Sequence, residues 1–181
     1  MKKKLVLAIV CLLCVCGISV SATLAYLIAT PVPVENTFTI GQIDITLDET
    51  TGEEYPLIPG ATIKKDPKIT VKSGSENCFL FAKIETLNGF DTYVTYGLSG
   101  DWLPLGGVAG VYYLEYYQSN ADQVYGIFLG DQVHIKDTLT EEKMGAITVK
   151  PVLTITAYAV QMHSIESAID AWNTVRTEFN F

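Results

Sequence analysis

Cys78-Phe79-Leu80-Phe81-Ala82-Lys83-Ile84-Glu85-Thr86 is the stretch on which the fold turns. In an extended backbone, successive side chains leave on opposite faces. Phe79 and Phe81 then share one face, while Cys78, Leu80, Ala82 and Ile84 share the other. The first half is apolar on both, which predicts a central strand covered from two sides. The flanking sequence carries related patterns. Ile43, Ile45 and Leu47 alternate with Asp44, Thr46 and Asp48, a half-buried strand pattern. Ile69 and Val71 alternate with polar neighbours in a region that also holds Lys64, Lys65, Lys68 and Lys72. Those lysines read as the solvated face of a guarded edge strand. Residues 92–98, 111–117 and 124–129 are aromatic or β-branched runs, and 133–135 fits a short strand. Asn88-Gly89, Gly106-Gly107 and Ser119-Asn120-Ala121-Asp122 mark turns between runs.

The C-terminal third changes character twice. Residues 137–145 are polar, with room for one helical turn, and 147–160 form a long strand-like run with Pro151 inside it. Proline lacks a ladder donor, so this run predicts a bent strand, a bulge or two strands. Then Ile165, Ala168, Ile169, Trp172 and Val175 recur at helical spacing. They predict an amphipathic helix near 164–178, capped by Ser164 and docked on the chain's own sheets. Together the pattern predicts a mainly β fold. Its expected form is a jelly-roll-like antiparallel β-sandwich with a short C-terminal helix, behind an N-terminal signal helix.

That leading segment has its own logic. Lys2, Lys3 and Lys4 precede residues 5–34, which carry no charge. Basic start, apolar core and small residues are the anatomy of a signal peptide. Thr23 and Ala25 place small residues at −3 and −1 for a cut between Ala25 and Tyr26. An uncleaved anchor is the competing reading, since the stretch is long enough to span a bilayer. Either way the lysines orient the body outside the membrane. The expected organisation is therefore a signal peptide at 1–25, an extended segment at 26–37 stiffened by Pro31 and Pro33, and a β domain at 38–181. Cys11, Cys14 and Cys16 fall in the apolar segment, which leaves Cys78 as a lone, buried thiol. Across 181 residues the chain holds 12 basic and 20 acidic side chains, a net charge of −8. Without its first 25 residues it keeps 9 against 20, a net of −11. Such a body repels phosphate backbones, which argues against nucleic acid as a partner. Cations or basic cell-wall components suit it better.

No motif for catalysis emerges. The two histidines, His134 and His163, sit in no His-Glu-x-x-His arrangement. Gly97-Leu98-Ser99-Gly100 has the wrong spacing for a nucleophile elbow. Gly106-Gly107 with Gly110 lacks the lysine of a phosphate loop and reads as a flexible loop. Glu49, Glu53-Glu54 and Glu141-Glu142 lie in acidic turns. Ca²⁺ is the one cofactor such turns could hold, although EF-hand spacing is missing. No catalytic or metal-ligating set is therefore named. Tyr112, Tyr113, Tyr116 and Tyr117 suggest a strand serving the core on one side and an interface on the other.

Several blocks together resemble a known family. Ala25-Tyr26, Asn36-Thr37-Phe38-Thr39-Ile40-Gly41 and Ile43-Asp44-Ile45-Thr46-Leu47 are similar to the start of TasA/camelysin-like secreted proteins. Later echoes are Pro59-Gly60 before Lys68-Ile69-Thr70-Val71-Lys72, Trp102 before Gly110-Val111-Tyr112-Tyr113, and Ile155-Thr156-Ala157-Tyr158-Ala159-Val160-Gln161 with Ala171-Trp172. One departure is Leu27-Ile28-Ala29, where the family often has an aromatic and an acid. The resemblance implies a jelly-roll-like sandwich and a SipW-type signal peptidase as processing partner. It also implies a role at the surface or in the extracellular biofilm matrix of a Gram-positive bacterium, as fibre subunits. The expected function is self-association into filaments by strand addition, through Tyr26, Leu27, Ile28, Asn36, Thr37, Phe38 and Thr39. Two alternatives stand beside it. One is a camelysin-type surface metallopeptidase using His134 or His163; the other is a monomeric module binding glycan or protein.

Overall fold

The chain separates into Met1–Thr39 and Ile40–Phe181, and the computed structural model describes residues 42–52 and 55–181 of the second part. The cleavage residues Ala25 and Tyr26 and the assembly segment, with Leu27, Ile28, Asn36, Thr37, Phe38 and Thr39, lie outside the described residues. Within them the chain forms β1 (Ile45–Asp48), β2 (Thr62–Lys64), β3 (Lys68–Val71), β4 (Cys78–Leu87), α1 (Phe90–Tyr93), β5 (Val94–Thr95), β6 (Leu103–Pro104), β7 (Val111–Tyr116), β8 (Gln123–Gly126), β9 (Gln132–Ile135), α2 (Glu141–Gly145), β10 (Val152–Gln161) and α3 (Ala168–Phe179). The strands make three antiparallel sheets, in the orders β1-β3-β8, β10-β4-β7-β6 and β2-β9-β5. The fold is thus mainly antiparallel β with a short C-terminal helix.

β4 occupies the expected central place, and both of its faces are covered. Cys78, Leu80, Ala82 and Ile84 join Ile69 and Val71 of β3, Val94 of β5 and Val133 of β9 in one core shared by all three sheets. Phe79 and Phe81 point the other way, under Ala168, Ala171, Trp172 and Val175 of α3. The helix therefore docks on its own sheet. Trp172 is buried against the rings of Phe81, Tyr158 and Phe181. Its indole N–H has no hydrogen-bond partner. That costs about 1–3 kcal/mol, offset by apolar burial of the ring.

Four sequence expectations need correction. The helix begins at Ala168, capped by Ser167, whose hydroxyl accepts from the Asp170 N–H at 3.3 Å. Ser164 instead adopts φ +64° in the preceding turn, which Ile165 closes by donating to the Met162 carbonyl at 3.0 Å. Residues 92–98 are not one strand. Asn88 and Gly89 turn the chain with positive φ, Phe90–Tyr93 winds one helical turn, and only Val94–Thr95 joins a sheet. Pro151 stands just before β10, so its missing donor interrupts nothing and the strand runs whole. β3 is no edge: it lies between β1 and β8. Lys68 and, just past the strand, Lys72 meet carboxylates instead, Lys68 with Asp131 at 3.2 Å and Lys72 with Asp122 at 3.1 Å.

Gly110 is also more constrained than a loop glycine. Its φ is +73°, and a Cβ there would approach the Ile84 carbonyl oxygen to 2.5 Å. The close approach lets the Ile84 N–H donate to the Gly110 carbonyl at 2.7 Å, which extends the β4–β7 ladder.

Candidate functional site

The feature that stands out from this topology is the free side of β10. The strand is ten residues long, Val-Leu-Thr-Ile-Thr-Ala-Tyr-Ala-Val-Gln, and β4 pairs with all ten. Among the described residues nothing pairs on its other side. It holds no charge, proline or glycine, although these are the usual guards against edge-to-edge pairing. The other outer strands are shorter or guarded, and β1 is four residues long and ends on Asp48. β6 and β5 are two residues long, and β6 contains Pro104. β2 is three residues long and ends on Lys64. β8 has its Gly126 carbonyl taken by the Trp102 indole N–H at 2.9 Å.

Hydrogen bonding fixes which groups are presented. The Met162 N–H donates to the Asn77 carbonyl at 2.9 Å, one step beyond the Gln161–Cys78 pair. Bonded pairs alternate along an antiparallel ladder. Thr154, Thr156, Tyr158 and Val160 therefore bond to β4. Leu153, Ile155, Ala157, Ala159 and Gln161 aim their N–H and C=O groups outward. The side chains of Leu153, Ile155, Ala157 and Ala159 pack on the shared core, and those of Tyr158 and Val160 under α3.

Two separate clefts line this edge. One, about 490 Å³, is bounded by Ala157, Ala159, Ile43 and Ile45 on one side and by Val175, Glu178 and Phe179 of α3 on the other. A smaller one of about 220 Å³ lies at Leu153 and Ile155, facing Leu47, Asp48 and Glu49. The wall at that end is tightly held. Lys65 reaches both oxygens of Glu49, at 2.7 and 2.9 Å. Buried Asp66 accepts from the Thr50 hydroxyl at 2.6 Å and its N–H at 3.0 Å. Chiefly the Thr50 hydroxyl, helped by the other bonds and Lys68, holds the Asp66 carboxyl down at about 2.

The residues weighed for chemistry are scattered. His134 is half-exposed, 3.7 Å from Asp137 and 3.4 Å from the Thr62 hydroxyl. His163 is exposed in the turn ahead of α3 and does not join its first turn. Glu49 is engaged by Lys65, and Glu141 and Glu142 open α2. Glu53 and Glu54 lie outside the described residues. Among the described residues no three His, Cys, Asp or Glu side chains come together as a metal site. The tyrosine-rich strand serves two cores: Tyr112 and Tyr116 face the shared interior and Tyr113 faces α3, while Tyr117 is exposed. Cys78 is fully buried, and desolvation pushes its thiol up to about 12. No helix among the described residues is long and apolar enough to cross a membrane.

No family model, curated protein or solved structure matches the chain. What the edge can do follows from its chemistry. An open ladder beside an apolar cleft accepts an extended, apolar peptide, with main-chain bonds for affinity and side chains for register. Sequence reading missed this site. The one signal for it is the uncharged run from Val152 to Gln161, whose position at an edge depends on sheet order.

Proposed function

We propose that the chain is a secreted structural subunit that polymerises outside a Gram-positive cell, within a biofilm matrix or on the cell surface. In this reading a SipW-type signal peptidase cuts between Ala25 and Tyr26. The freed segment of residues 26–39 then adds as a strand to the open edge of β10 in the next copy, completing a jelly-roll-like sandwich there. The unguarded, one-sided β10 carries the proposal.

Lengths agree with it. Ten residues of β10 extend about 33 Å, and residues 26–39 can span roughly 46 Å when extended. The segment re-enters the described body at Gln42, beside the Ile43 that lines the larger cleft. A head-to-tail contact of this kind does not close on itself and so propagates as a filament. Other matrix or surface components can bind the finished fibre.

Deleting residues 26–34 should abolish fibres seen by electron microscopy of the exported protein, while the β-sheet circular dichroism of the body persists. Fibres that form undiminished from the deleted chain would refute the reading.

A further inference from the structure

We infer that Asn88 is a site of spontaneous covalent modification, at which its side-chain amide is lost to water, and that the change irreversibly unties the entry to β10. The reaction needs water alone, so it does not depend on how copies of the chain assemble.

The chemistry starts from one dipeptide. Asn88 is the only asparagine of the chain followed by glycine; the others precede Thr37, Cys78, Ala121, Thr174 and Phe181. Glycine has no Cβ to obstruct its own nitrogen. The Gly89 nitrogen attacks the Asn88 side-chain carbonyl carbon. A C–N bond forms, the bond from that carbon to Nδ2 breaks, and ammonia leaves with the proton given up by Gly89. Water then opens the five-membered imide at either carbonyl, giving aspartate or isoaspartate.

The fold both exposes this pair and slows it. Asn88 and Gly89 are exposed in the turn between β4 and α1. Among the described residues the Gly89 N–H donates to no group. What restrains the pair is the Asn88 Nδ2, which donates to the Lys150 carbonyl at 2.9 Å. The ring closes only when that bond opens. An exposed bond between neutral groups resists opening by about tenfold at most. The turn therefore delays the reaction and does not prevent it.

The product cannot remake the bond. A carboxylate at position 88 only accepts, and it would face the Lys150 carbonyl, another acceptor. Isoaspartate also routes the main chain through the side chain, lengthening a turn that positive φ at Asn88 and Gly89 closes. Pro151 has no N–H, so the Asn88 bond anchors the chain just ahead of the Leu87–Val152 rung. Its loss leaves that rung and the Glu85–Thr154 rung to fray.

Ageing the full chain at mildly alkaline pH, followed by peptide mass mapping, tests the site. The mass gain of an OH-for-NH₂ exchange should accumulate at Asn88 as two products of equal mass, with Asn120 unchanged. The folded chain should react more slowly than the chain in urea, by about tenfold or less. Asn88→Gln, which closes only a slower six-membered ring, should show no gain over the same time. Hydrogen exchange reads the consequence. Asn88→Asp should speed exchange at Val152 and Thr154 by about threefold or more, with exchange at Tyr158 and the β-sheet circular dichroism unchanged. Conversion in urea with none at Asn88 in the folded chain overturns the site. Equal gain at Asn120 overturns its selectivity. Unaltered exchange in Asn88→Asp overturns the untying of β10.

Discussion

Asp66 shows how a single side chain ties pH to the shape of the smaller cleft. Its carboxylate is bonded first by the Thr50 hydroxyl, then by backbone and Thr51 donors, with Lys68 nearby, and it titrates at about 2 against an ordinary 3.8. The unfolded chain therefore takes up this proton before the folded one does. The stabilisation is complete above the ordinary value and is lost as pH falls from about 4 toward about 2. Asp66→Asn should lower the urea midpoint at neutral pH and flatten its decline over that acid window. An equally steep acid limb in the variant would show that the clamp on the 49–51 loop lies elsewhere. Cys78 offers a second residue-level check. Full burial and a thiol pushed to about 12 leave almost no thiolate near neutrality. A thiol reagent at about pH 8 should leave it unmodified in the folded body and modify it once denaturant is added.

Elements were legible where burial follows period and illegible where a local bond decides. The two faces of β4 and the apolar stripe of α3 could be read from Phe79, Phe81, Trp172 and Val175, because burial on each face is what selects those residues. The start of α3 could not, since Ile165 fits the helical period and yet belongs to a turn. What decides it is the Ser167 hydroxyl accepting from the Asp170 N–H. Ser167→Ala should therefore cost about 1 kcal/mol in chemical denaturation, while Ser164→Ala should cost far less. Residues 92–98 failed for a related reason. Tyr96 and Leu98 reach the core from irregular backbone, and aromatic content alone cannot tell such a segment from a strand.

At the scale of the molecule, the candidate site was hidden because an edge is a property of neighbours. The uncharged run at 152–161 reads as a strand in any position; only the order β10-β4-β7-β6 leaves its outer side open. An inward-pointing charge should guard that edge, so Ala157→Lys is expected to suppress fibres with little change in the secondary structure of the monomer. Unaltered fibre yield from this variant would place the contact on another strand. The covering of β4 on both faces has a separate result for how the chain refolds. Sliding a strand by one residue usually drives polar groups into the interior and is rejected at once. In the first half of β4 such a slide only trades Phe79 and Phe81 for Leu80 and Ala82, so volume, and not polarity, must reject it. Mispaired isomers should therefore persist as a slow minority phase after rapid dilution from denaturant, until Lys83 and Glu85 pull the strand back into step.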